Sequence, residues 1–149
     1  MNDNDDDLLD LINALMQAIK DDTARTLAAG PDRLAPLEAR ALRFFVRHPG
    51  ASQAAFAQFC GRDKAQVTRA IQLLHARQLL EREQDGSDRR HHHWRLTETG
   101  HAVHARVAAQ REVLAARLVH DFAPAERTSS RALLARMHAN VTMHGDTKD

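Results

Sequence analysis

Two short helical patterns abut between Ser52 and Arg77 with only Gly61, Arg62 and Asp63 to turn the chain, and this junction restricts the fold more than any other feature. Ser52 is a capping residue type, and Phe56, Phe59 and Cys60 follow at helical spacing as an inner face. A helix barely three turns long is expected there, closed by Gly61 as a left-handed C-cap. Asp63 is again a capping type, and Val67, Ile71 and Leu74 repeat at four and three through about Arg77. Two short helices meeting at a tight glycine-containing turn make a helix-turn-helix pattern.

The flanking sequence extends that motif. Leu79 to Glu83, the turn-rich Gln84-Asp85-Gly86-Ser87-Asp88, and His91 to Leu96 read as a two-stranded hairpin, a wing, with His92, Trp94 and Leu96 alternating with His91, His93 and Arg95. Upstream, Leu8, Leu11, Ile12, Leu15 and Ile19 lie on one stripe of a helix from about residue 7 to 28, stopped by Gly30-Pro31. A second helix is expected from Pro36 to before Pro49-Gly50, with Leu37, Ala41, Leu42, Phe45 and Val46 inward. Thr97 caps a long helix whose stripe is Val103, Val107, Gln110, Leu114 and Leu118, and Pro124 opens a last one carrying Leu133, Leu134, Met137 and Val141. The fold class is mainly α with a small β-wing: an N-terminal helix (1–30), a winged helix-turn-helix domain (31–97) and C-terminal helices (98–149).

Charge is unevenly spread along the 149 residues. Residues 1–61 are net −3, 62–95 net +3 and 96–149 net +1, so a chain of formal charge +1 concentrates its cations around the helix-turn-helix and wing, where His75, His91, His92 and His93 also fall. That asymmetry points to a localised anion-binding surface. The acidic N-terminus and the absence of any run of about 18 apolar residues predict neither a signal peptide nor a membrane span. The single cysteine, Cys60, fits a reducing compartment, and a cytoplasmic location is expected. No phosphate loop, Gly-x-Ser-x-Gly, HExxH or paired-carboxylate constellation is found, so the chain is read as no enzyme, with no cofactor.

The segment 56–100 resembles the MarR family of bacterial transcription regulators. The most specific piece is Asp88-Arg89-Arg90, followed six residues later by Leu96-Thr97 and then Gly100, the family's wing leading into its long dimerisation helix. Three positions depart from it: Gln78 stands where a glycine is usual, Arg62 replaces an apolar turn residue, and His91 to Trp94 replace small aliphatics. A strained or altered turn is therefore expected at Gln78. The resemblance implies a homodimeric repressor, less often an activator, on a promoter palindrome, released by a small aromatic or phenolic anion bound between the dimerisation helices and the helix-turn-helix lobe. It also implies that Asp88 orients Arg90.

On this reading Lys64, Ala65, Gln66, Thr68 and Arg69, opposite the apolar face of their helix, enter the major groove of double-stranded DNA. Arg69 suits guanine, Gln66 adenine, Ala65 the thymine methyl, and Thr68 or Lys64 a phosphate. Ser52, Ser87, Asp88, Arg89 and Arg90 complete the expected DNA contacts, with the wing arginines aimed at the minor groove. The alternative for each is a solvated face or charged loop. Leu8, Leu11, Ile12, Leu15, Leu114, Leu118, Leu133, Leu134, Met137 and Val141 exceed what one small domain can cover, and pairing with a second copy is the economical account. Arg40, Arg43, Arg47 and His48 read as surface residues, and no effector-pocket residues are assigned. A metal- or thiol-responsive sensor, through His91 and His93, His101 and His104, or Cys60, and a protein-interaction module without an operator are the alternatives; Cys60 reads first as a small buried hydrophobe.

Overall fold

The computed structural model describes residues 3–83 and 93–143. Its order is α1 (Asp3–Ala29), α2 (Pro36–Arg47), β1 (Ala51–Ser52), α3 (Gln53–Cys60), α4 (Lys64–Ala76), β2 (Leu80–Glu83), β3 (His93–Leu96), α5 (Glu98–Leu118) and α6 (Pro124–Met143). The chain forms two compact units, residues 1–111 and 112–149, the boundary falling inside α5.

In the first unit the helix ends follow local chemistry. Ser52 Oγ accepts the Ala55 N–H at 3.1 Å, and Gly61 closes α3 at φ 59°. Thr97 Oγ1 accepts the Gly100 N–H at 2.9 Å at the start of α5, and Pro36 opens α2. Asp63 occupies the cap position of α4 as expected, but its carboxylate makes no capping bond; its backbone carbonyl alone accepts, from Val67.

The core lies between α2, α3, α4 and the sheet. Leu42, Phe45, Phe56, Val67, Ile71, Leu74 and Leu80 are fully buried, and Phe44 joins them, its ring 5.1 Å from Phe45 and 5.3 Å from Phe56. Each such side chain contributes about 1.5–3 kcal/mol by leaving water. Phe59 corrects the sequence reading: expected inward, it is half exposed, lying 5.0 Å from Phe44 with the Arg40 guanidinium over its ring. At helical spacing Cys60 takes the inward place, 8% exposed, with its thiol toward the Ala57 carbonyl at 3.6 Å.

The sheet is antiparallel with order β1-β3-β2. Leu80 faces Leu96 and Arg82 faces Trp94, which puts these four side chains on one face; Glu81 faces Arg95 on the other, their ion pair closing at 2.8 Å. The two-residue β1 adds a third strand that the sequence did not announce, pairing Ala51 with Trp94 and Ser52 with His93. Gly50 permits it: at φ 78° its N–H reaches the Trp94 carbonyl, and its own carbonyl receives the His93 imidazole at 2.6 Å.

The strain expected at Gln78 is present. Its φ is 57°, and its carbonyl accepts the Thr97 hydroxyl at 2.6 Å, so the left-handed turn joins the end of α4 to the start of α5. A left-handed L-residue costs about 1–2 kcal/mol, partly offset in glycine by roughly 0.5–1 kcal/mol of extra chain entropy. Gln78→Gly is therefore expected to raise stability by up to about 1 kcal/mol, read as a higher urea midpoint at unchanged slope.

α1 has Leu27 as its one buried residue among the described side chains. In the second unit α6 buries none of its 20 residues.

Candidate nucleic-acid interface

α4 buries Val67, Ala70, Ile71 and Leu74 against the core, so the rest of its circumference is fixed by geometry. Ala65 and Arg69 project on the opposite side, Gln66 beside them, and Lys64 at the first turn is exposed. None of Lys64, Gln66 or Arg69 is ion-paired or hydrogen-bonded through its side chain among the described residues. Thr68 is different: it is half-buried, and its hydroxyl receives the Gln53 side-chain amide, tying the first turn of α3 to α4.

Gln53 was not among the expected contacts; nor was Gln72, which is exposed and continues the row of Ala65 and Arg69 at the next helical spacing. That second omission was readable, since 65, 69 and 72 repeat at four and three. Ser52 lies at the start of α3, its oxygen accepting from Ala55. Ser87, Asp88, Arg89 and Arg90 fall outside the described residues, as do His91 and His92.

The base of the wing is anchored from α4. His75 donates a ring N–H to the Leu80 carbonyl at 2.9 Å and meets Trp94 edge-on at 5.3 Å. Trp94 is 3% exposed, which seats it in the core and away from stacking on bases. Its indole N–H has no partner among the described residues.

The other end of α4 is held by charge. At its C-cap, the Arg77 guanidinium donates to the Asp32 carbonyl and lies 3.6 Å from the buried Glu38 carboxylate, which also accepts the Ala35 N–H. The Asp32 carboxylate in turn receives two hydrogen bonds from Arg106 of α5, at 2.7 and 2.9 Å. The fork from Arg106 holds the Asp32 carboxyl below the ordinary 3.8, against the opposing effect of burial, with the charges of Arg106 and Arg77 adding to it. A lowered acid contributes stability that is complete well above pH 3.8 and is lost as pH falls through the lowered value. Asp32→Asn is therefore expected to lower the urea midpoint at pH 7, with the gap to wild type closing as the pH drops below 3.8.

A second group of cations lies on α2 and the first half of α5. Arg43 and His104 are half-buried there. Burial first, then Arg111, Arg47 and Arg40, holds the Arg43 guanidinium below its usual pKa; burial, then His101, Arg43 and Arg47, does the same to His104. The described residues contain no set of three or more His, Cys, Asp or Glu side chains placed to hold a metal ion.

This architecture recurs in known proteins. Residues 34–91, from the end of the α1–α2 loop to just before β3, match the sequence profile of the MarR family. The helix-turn-helix segment of the chain is thus similar to the MarR family. Among solved structures, a MarR-family regulator from Silicibacter pomeroyi is 27% identical, with 88% of this chain and 87% of that one covered and a TM-score of 0.72. MarR itself is 24% identical over 91% of this chain and 98% of its own, with a TM-score of 0.75. FabT of Streptococcus pneumoniae, solved in complex with DNA, is 13% identical over 92% and 96%, with a TM-score of 0.81. The last two establish the fold. A comparison with curated proteins gives no match. In MarR-family terms α3 and α4 are the helix-turn-helix, and β2 and β3 the base of the wing. No helix among the described residues is long and apolar enough to cross a membrane.

Proposed function

We propose that this chain is a homodimeric transcription regulator of the MarR family that represses by occupying a pseudo-palindromic operator and leaves it when a small aromatic or phenolic anion binds. The observation that carries the reading is the outward face of α4: Ala65, Gln66, Arg69 and Gln72 project together from a helix whose other face is locked in the core. An α-helix fills the major groove, and these side chains have the hydrogen-bonding and methyl chemistry that reads base edges there. Lys64 at the first turn and Arg89 and Arg90 of the wing supply phosphate and minor-groove contacts. The FabT complex shows that this fold can meet DNA in a relative.

Dimerisation rests on uncovered apolar surface in each unit. In α1, Leu8, Leu11 and Leu15 are exposed, Leu11 at 68%, and Ile12 is half-buried. In the second unit Leu118, Leu133, Leu134 and Val141 are exposed, and Leu114 and Met137 half-buried. Patches of this size favour a partner. The helices of 1–30 and 98–149 are assigned that role, and 31–97 the DNA contacts. A two-fold axis would set the two α4 helices about 34 Å apart on one face of the duplex. The anion acts only so far as it binds the released arrangement more tightly than the DNA-bound one. Such a regulator works in the compartment of the chromosome, here the cytoplasm, and needs no catalysis.

The test is a gel shift of the full chain on the DNA upstream of its own gene at several salt concentrations. A complex that outcompetes random duplex and weakens steeply with salt supports the reading, because bound cations displace condensed counterions. Equal affinity for random duplex, or none, defeats it.

A further inference from the structure

Among the described residues, no carboxylate is ion-paired with the α2–α5 cations. Arg40, Arg43 and Arg47 recur at three and four on α2, and His101, His104 and Arg111 at three and seven on α5. None of the six is ion-paired with a carboxylate among the described residues; after burial, the charges that weigh on Arg43 are those of Arg111, Arg47 and Arg40, and on His104 those of His101, Arg43 and Arg47. Like charges held close with part of their hydration removed are unfavourable unless an anion comes to them.

The complementary feature is on α1. Asp6, Asp7 and Asp10 are exposed, lie together on one flank of the Leu8–Leu11–Leu15 stripe, and are ion-paired with no cation among the described residues. At 1.5 Å per residue Asp10 stands roughly 25 Å along the helix from Leu27, where α1 enters the core of its own chain. The acidic turns and the uncovered leucines beside them thus form one surface, acidic and apolar, projecting from the anchored end.

We propose that in the homodimer the acidic first turns of α1 cover the cationic α2–α5 cluster of the second copy, an exchange made twice by symmetry. This rests on the homodimer reading above. The leucine stripe supplies buried area, and the charges fix which way α1 lies, because opposite potentials set orientation and register while like ones exclude the alternatives. In an isologous interface one such contact implies its mirror, so both clusters are neutralised at once.

The test uses two variants of the full chain, one with Asp6→Lys, Asp7→Lys and Asp10→Lys, the other with Arg47→Glu and Arg111→Glu, all at exposed positions. Far-UV circular dichroism verifies folding, and sedimentation gives the dimer dissociation constant. Each variant alone should dissociate at least tenfold more readily than wild type in low salt. Mixed in equal amounts they should form a heterodimer within threefold of wild-type affinity, since each reversed surface then meets its opposite on the other chain. A mixture that stays as weak as its components, or a variant whose dimer is unchanged, overturns the inference while leaving the homodimer intact. Benzoate binding lost in the Arg47→Glu, Arg111→Glu variant with dimerisation unaffected also overturns it, making the cluster a site for a free anion. A wild-type chain that stays monomeric removes the homodimer reading itself.

Discussion

Gly100→Ala is expected to destabilise the winged-helix unit by about 3 kcal/mol or more, enough to unfold a marginal domain. A Cβ at Gly100 would stand 2.0 Å from the Leu79 carbonyl oxygen, 3.0 Å from its carbon and 3.3 Å from Leu96 Cβ. Two of those three atoms are backbone, so no side chain can swing aside. The carbonyl is also engaged, accepting the Thr97 N–H at 3.2 Å. The first turn of α5 therefore sits directly on the start of β2, and relief requires pulling α5 off the wing. Gly61→Ala is the control: its φ is 59° but nothing lies within 4 Å of an added Cβ, so only the backbone cost of about 1–2 kcal/mol applies. Urea unfolding followed by Trp94 fluorescence measures both. A Gly100→Ala midpoint above that of Gly61→Ala would show that α5 and β2 are not packed this closely.

Arg69→Ala is expected to weaken operator binding by roughly tenfold to a hundredfold, the 1–3 kcal/mol of a bidentate contact to a base pair, without changing stability. Arg69 is exposed and has no side-chain hydrogen bond or ion pair among the described residues, so its removal leaves the fold alone. Lys64→Ala should behave otherwise, lowering affinity about equally on all sequences and reducing the salt slope by about one. Fluorescence anisotropy with operator and scrambled duplexes separates the two. If Arg69→Ala binds both as wild type does, the outward face of α4 is not the reading surface.

Much of this was legible along the chain because it is set by near neighbours. Ser52, Gly61, Thr97, Pro36 and Pro124 act on the turn of helix they begin or end, and the α4 periodicity declares which side is buried. Even the strain at Gln78 was readable, from a residue standing where a glycine is usual. Asp63 shows the limit of such signals, since a capping residue type in the cap position made no side-chain cap. Phe59 shows another: at the end of a short helix, periodicity alone does not say which of two adjacent apolar residues reaches the core, and Cys60 took that place.

The amino-acid order by itself determined the helices, the tight turn, the wing strands and the cationic face, because spacing and capping act within a few residues. Only the tertiary structure decided what those pieces touch. It drew Ala51 and Ser52 into the sheet, bound Thr68 to Gln53, closed Arg77, Asp32 and Arg106 into one chain of contacts, and left the α2–α5 cations without an ion-paired carboxylate among the described residues. Those pairings join residues 15 to 74 positions apart, and their chemistry depends on distances that no local pattern encodes.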